Sequence, residues 1–275
     1  MGDIGPVSPS SCHPTYSEQV TPRRTLHAEV LVVLGLSLGA SAIWSILRII
    51  ERLTRAVPIG QQTSSLNNTV TPDRPWLDLA YQLAGIGLAL VPVALVGYLL
   101  AQVGGRHTGT IRSGLAGLGL DWRHPWRDLG QGTLLAAAIG IPGLALYLAA
   151  RALGVNTQVA AANLGEAWWT VPVLVLSALQ NGVVEEVIVV GYLLTRLEQA
   201  QWRVPAAIAV SALVRGTYHL YQGFGGFVGN VVMGVVFALV WRRTRRVGPL
   251  VVAHTLIDVV AFIGYAVLKG RVGWL

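Results

Sequence analysis

Charge is what this sequence lacks first. Asp, Glu, Lys and Arg make up only 12% of its 275 residues, against about 25% in a soluble domain. A chain so short of charge cannot coat a water-facing surface. Lysine is almost missing: Lys269 is the single one, so arginine carries nearly all of the positive charge behind the net +7. Cysteine is as scarce. Cys12 stands alone, which excludes an internal disulfide and any thiolate metal cluster. No basic stripe is interleaved with aromatics, so nucleic acid is not expected as a partner; basic charge in such a chain is a topology signal.

What is present is hydrophobic sequence, 53% of the chain, gathered in long blocks. Val30 to Ile50, Leu79 to Leu100 and Leu134 to Leu153 each reach the ~20 residues that cross a hydrocarbon core. Further blocks run from Trp168 to Leu197, from Pro205 to Tyr221, from the Gly223–Gly226 turn to Trp241, and from Pro249 to Lys269. Lipid allows only helices or closed barrels, and barrel strands would alternate apolar with polar residues. The expected architecture is all-α, a polytopic transmembrane helix bundle of about seven spans, within a range of six to eight. Its partner is the lipid bilayer. Trp residues near the block ends, such as Trp76, Trp126, Trp168 and Trp202, fit an interfacial belt.

Three regions are expected along the chain. Residues 1–28, rich in Ser, Pro and Thr, read as a disordered tail without the features of a secretory signal. Residues 29–165 read as accessory transmembrane helices with a basic loop, Gln102 to Gln131. Residues 166–270 read as the bundle that carries the chemistry. Pro142 predicts a kink in the third span, and Thr170 an N-cap for the fourth. A cytoplasmic N-terminus puts most loop arginines inside, as the positive-inside rule requires, although Arg52, Arg55 and Arg74 then fall outside. Arginine, alanine and glycine usage points to a GC-rich genome and hence a bacterial plasma membrane.

Most titratable residues at bilayer depth lie in the second half: Glu185, Glu186, Arg215, His219, His254 and Asp258. Each charge at a helix centre costs roughly 2.5–3.5 kcal/mol to insert, so these groups are expected to share one cavity. Spacing favours convergence. Arg215 and His219 are four apart, as are His254 and Asp258, which puts each pair on one helix face. Adjacent Glu185 and Glu186 differ by about 100° on an α-helix, so only one is expected to point straight into a given pocket. Gln180 and Asn181 lie one turn earlier and extend the network. Counting along straight helices puts His254, Glu185 and His219 at roughly 10, 18 and 21 Å from the cytoplasmic ends, a mismatch that tilt must close.

A carboxylate beside a histidine can take a proton from water. A second histidine with an oriented acid can stabilise an oxyanion. Together they describe water attack on a peptide carbonyl within the membrane, with a peptide or protein as substrate. No cofactor is required. A divalent metal such as zinc is an alternative, with Glu185, His219 and His254 as its ligands, but the H-E-x-x-H spacing is missing. Tyr218, Tyr221 and Phe224 read as packing.

The strings Glu185-Glu186-Val187-Ile188-Val189-Val190, Arg215-Gly216-Thr217-Tyr218-His219 and His254-Thr255-Leu256-Ile257-Asp258 resemble the CPBP family, the type II CAAX prenyl endopeptidases and bacteriocin-processing membrane proteins. That family is marked by E-E-x-x-x-R, F-x-x-x-H and H-x-x-x-N or D on successive helices. The resemblance covers roughly residues 168–262 and implies catalytic roles for Glu185, Glu186, His219, His254 and Asp258. Glu185 would activate water, His219 would be its partner, His254 and Asp258 would stabilise the oxyanion, and Glu186 would support. Two positions depart: Val190 stands for the family's Arg, and Arg215 for its Phe. We read this as a guanidinium moved to the neighbouring helix, where Arg215 still neutralises the glutamates. Two other readings compete. One is a non-catalytic immunity or scaffold protein of the same fold; the other is a proton-coupled transporter, which would need inverted repeats in both halves.

Overall fold

The computed structural model describes residues 22–102 and 109–271, so most of the expected tail, residues 1–21, lies outside the described residues. Its last part is not a tail. Helix α1, Arg23–Gly35, takes in Arg23 to Ala28. Helix α2, Leu38–Thr54, follows at a 58° bend, where a single straight span was expected. The Ser37 hydroxyl donates to the Val33 carbonyl at 2.6 Å, a local bond that competes with the helix ladder. A Cβ on Gly39 would sit 2.6 Å from the Leu34 carbonyl oxygen, so the tight fold-back needs glycine there.

Helices α3, Pro75–Ala89, and α4, Val91–Ala101, together make one apolar stretch, Pro75–Ala101. The break at Leu90 precedes Pro92, which has no N–H for the ladder. The basic loop is not a loop throughout. It holds α5, Ile111–Gly117, and the start of α6, Pro125–Ala152. Pro125 in the first turn starts α6 well before its apolar block. The helix runs on through Pro142.

The fourth block is Thr170–Gln199, 30 residues, built as α7, Thr170–Glu185, a π-helical segment, Glu186–Tyr192, and α8, Leu193–Gln199. Thr170 is the first helical residue, not the cap; Trp169 holds that place. Helices α9, Val204–His219, α10, Phe224–Thr244, and α11, Gly248–Leu268, complete the bundle. Among the described residues, 5 helices are long and apolar enough to cross a membrane, or 6 with the bent pair. The 16-residue α9 is too short for that test, and the bundle is compatible with the roughly seven spans expected. The chain is an integral membrane protein with an all-α fold.

Helix α9 packs between α2 and α10, while α11 packs between α6 and α7. Small residues allow the closest approaches, as is common in membranes. A Cβ on Gly182 would stand 2.7 Å from the Thr255 hydroxyl, and one on Gly234 would stand 2.9 Å from the Ala212 Cα. Beneath the polar cluster lies a core with no exposed surface, including Val187, Ile188, Val189, Val190, Phe237 and Leu250. At the opposite end, two links form a cap. Strands β1, Thr63–Ser65, and β2, Gln158–Ala160, pair in parallel. The hydroxyls of Ser64 and Thr157 meet at 2.7 Å, where one donates to the other, and they lie 3.1 and 2.9 Å from the Tyr221 and Gln222 carbonyls just past α9.

The arginine-rich end is fastened by Arg246. It makes a two-pronged contact with Asp128 at 2.9 and 2.7 Å and reaches Asp121 at 3.1 Å, the geometry that favours Arg over Lys. Burial pushes the Asp121 carboxyl up. The Arg123 N–H and the Arg246 guanidinium outweigh that and hold it below its ordinary value. A carboxyl depressed in the folded state adds stability above its unfolded pKa, about 3.9, and loses it as pH falls through the folded value. Melting curves should therefore show a fall in Tm below pH 4, and Asp121→Asn should flatten part of it. An unaltered acid limb in that variant would remove Asp121 from the clasp.

Candidate active site

Three helices bring the six residues together. Glu185 ends α7, and Glu186 opens the π segment. Arg215 and His219 share the last turn of α9. His254 and Asp258 share a face of α11, with His254 Nε2 3.8 Å from Asp258 Oδ1. The depth mismatch counted along straight helices is closed in the folded chain.

The glutamates differ from expectation. Both face the cluster. A π segment has more residues per turn than an α-helix, so adjacent side chains diverge less. Arg215 Nη2 lies 2.5 Å from Glu186 Oε1, and Nη1 lies 3.5 Å from Glu185 Oε2. Arg215 and Glu186 have no exposed surface. The guanidinium on α9 thus stands against both carboxylates, while Val190 is packed in the apolar core. Gly234 leaves room for the Arg215 stem, whose Cδ would lie 3.3 Å from a Cβ there. The Phe237 ring lies 5.4 Å from the guanidinium carbon, within cation–π range.

His254 joins the two acids. Its Nδ1 is 2.6 Å from Glu186 Oε1, and its Nε2 is 3.9 Å from Glu185 Oε2. His219 Nε2 lies 3.6 Å from Glu185 Oε2, too far for a direct hydrogen bond. Glu186 Oε2 and His219 Nε2 are buried with no hydrogen-bond partner among the described residues. His219 Nδ1 faces the Gln222 amide at 3.4 Å. Asn181 donates to Asp258 Oδ2 at 3.0 Å, so the network extends up α7. Within the cluster the side chains with most surface are His219 and Asp258, at 18% and 19% exposed. Approach therefore lies on their side and not through the sealed core.

Sequence reading missed Tyr218. Its hydroxyl donates to Glu185 Oε2 at 2.7 Å, so it belongs to the site and not to packing alone. The signal was available: residue 218 lies three beyond Arg215, on the same helical face. Phe224 contributes nothing here and is partly exposed.

Among the described residues, the donors that approach one another closely enough for a metal are Glu185, Glu186 and His254, with ligand atoms within 4.8 Å. His219, expected among the ligands, is outside that set. An ion would have to displace Arg215, because the guanidinium stands against both carboxylates and would repel a divalent cation at a few ångströms in a low dielectric. His254 Nδ1 also points at Glu186 and not at a shared centre. As the side chains stand, both carboxylates are matched by a guanidinium and not arranged around a vacant centre.

Among known protein families, the one described as Type II CAAX prenyl endopeptidase Rce1-like matches residues 167–260. No curated protein and no solved structure matches the chain. The matched segment runs from the start of α7 into α11 and holds every member of the polar cluster. Residues 167–260 are therefore similar to the Rce1-like type II CAAX prenyl endopeptidases, a protease family, in agreement with the resemblance to the CPBP family carried by the three motifs.

Proposed function

We propose that this chain is an intramembrane endopeptidase that cleaves membrane-associated or membrane-delivered peptides with water activated by Glu185 and His219. The observation that carries the reading is the 3.6 Å approach of His219 Nε2 to Glu185 Oε2, two proton-handling atoms near enough to share one water that enters beside them with the substrate. A water beside this pair gives its proton to Glu185 and attacks the scissile carbonyl. The proton then passes to the leaving amine, with His219 within reach to relay it. Tyr218 and Arg215 keep the Glu185 carboxylate in place.

Charge developing on the carbonyl oxygen needs donors. His254 Nε2 is one, steadied from behind by the contact of Nδ1 with Glu186. Asp258 as a carboxylate accepts only, so its part is to orient His254 and the Asn181 amide, whose second N–H makes no hydrogen bond among the described residues and would be a further donor to the oxyanion. This departs from the simplest family scheme, in which the residue at position 258 would itself stabilise the oxyanion. The loop arginines support a cytoplasmic N-terminus in a bacterial plasma membrane.

The test is cleavage of a peptide library by the purified protein in lipid nanodiscs, with products read by mass spectrometry. Cleavage at defined bonds is expected, and strong chelators should leave its rate unchanged, since no step runs through a metal. Loss of cleavage on chelation, restored by zinc, would overturn the metal-free scheme. Complete inertness towards the library would favour the scaffold reading.

A further inference from the structure

The site depends on a widened turn, and part of what holds that turn open, on the first helix, lies outside the family-matched segment. The π segment Glu186–Tyr192 ends at Tyr192, whose hydroxyl donates to Glu29 Oε1 on α1 at 2.8 Å. One turn on, Arg196 Nε donates to the same oxygen at 2.7 Å. Arg196 also donates to Gln199 at 2.9 Å and to the Leu99 carbonyl at the end of α4 at 3.2 Å. Both Tyr192 and Arg196 are buried. From α9, the Ser211 hydroxyl donates to the Val189 carbonyl inside the segment at 2.7 Å. A π turn has poorer intrinsic geometry than an α turn and persists where neighbours hold it.

A guanidinium buried to this degree is costly to leave unpaired. Glu29 is its only acidic partner among the described residues. It therefore fixes where Arg196 and Tyr192 sit, and with them the lower end of the π segment. The upper end is Glu186. If the segment relaxed to α-helix, Glu186 would rotate away from Glu185, and Arg215 could no longer stand against both.

We propose that Glu29 is a positioning residue for the active site. Through Tyr192 and Arg196 it locks the π register that aims Glu185 and Glu186 at Arg215. The first helix, which sequence reading classed as accessory, is then a working part of the site. The kinetic side of this proposal rests on the peptidase reading; the structural side does not.

Glu29→Gln is compared with Val33→Ala, which trims α1 at a buried apolar position without touching the carboxylate. Deuterium uptake by the peptide spanning residues 186–193 is measured in nanodiscs. Uptake should rise about tenfold or more in Glu29→Gln, as local opening becomes easier, and stay near wild type in Val33→Ala. Equal uptake in the wild type and Glu29→Gln, or an equal rise in both variants, would overturn the lock. In the cleavage assay Glu29→Gln should lower kcat, leave KM in place and shift the acid limb of the pH profile. Glu29→Asp should recover part of kcat, and Val33→Ala should alter neither KM nor the profile. A Glu29→Gln enzyme with wild-type kcat despite raised uptake would remove the link to catalysis. A wild type without peptidase activity would sink the proposed function alone, and the uptake comparison would still decide the lock.

Discussion

Glu185→Gln is expected to lower cleavage by about 10²–10⁴-fold, the range a general base contributes, while the protein keeps its fold. Gln keeps the size of the side chain and an oxygen for the Tyr218 hydroxyl, which now sits 2.7 Å from Glu185 Oε2. Arg215 keeps its contact with Glu186. What disappears is the group that can accept a proton beside His219. The loss should fall on kcat, with KM little altered, because the group acts in the transition state. Measured kcat within about threefold of wild type would remove Glu185 from the chemistry, whatever the family likeness suggests. A collapse of Tm would instead mark the residue as structural.

The second large effect concerns stability. Arg215→Gln strips the cluster of the guanidinium that faces both carboxylates, and with it a buried partner. Breaking a buried ion pair from one side costs about 3–5 kcal/mol, since a charge is left without compensation. Lysine should not rescue: one ammonium cannot stand in two places at once, as the planar fork does between Glu186 and Glu185. Adding Glu186→Gln to Arg215→Gln should return part of the loss, because the two residues share one contact and cannot be additive. Unfolding in detergent, followed for the wild type, both single variants and the double, gives the cycle. Additive losses would mean that the guanidinium does not neutralise the pair, and Arg215 would be no substitute for the arginine that Val190 replaces.

Much of this arrangement was legible in the residues. Blocks of about 20 apolar residues announced the helices, and i, i+4 spacing put His219 with Arg215 and His254 with Asp258 on common faces. Order and spacing carried the family likeness across roughly residues 168–262, and the family model matches residues 167–260. Less was legible where helices stop being ideal. A break at Ser37 comes from one hydroxyl and a close fold-back at Gly39, and no periodicity reports it. Both glutamates face inward because seven residues wind as π-helix, which an α-helical wheel cannot show. Tyr218 was overlooked because aromatic residues near a helix end are usually packing. The start of α6 was hidden because its first turns are polar, and the cap was invisible because its two strands come from distant links.

The account rests on the geometry between α7 and α9. An experimental density map of the protein in lipid, at a resolution that shows ordered water, addresses it directly. It should show Arg215 against both Glu185 and Glu186 and, with a peptide bound, one water beside Glu185 Oε2 and His219 Nε2. A map with Glu185 and His219 on separate faces, or with either turned to the acyl chains, would contradict the account.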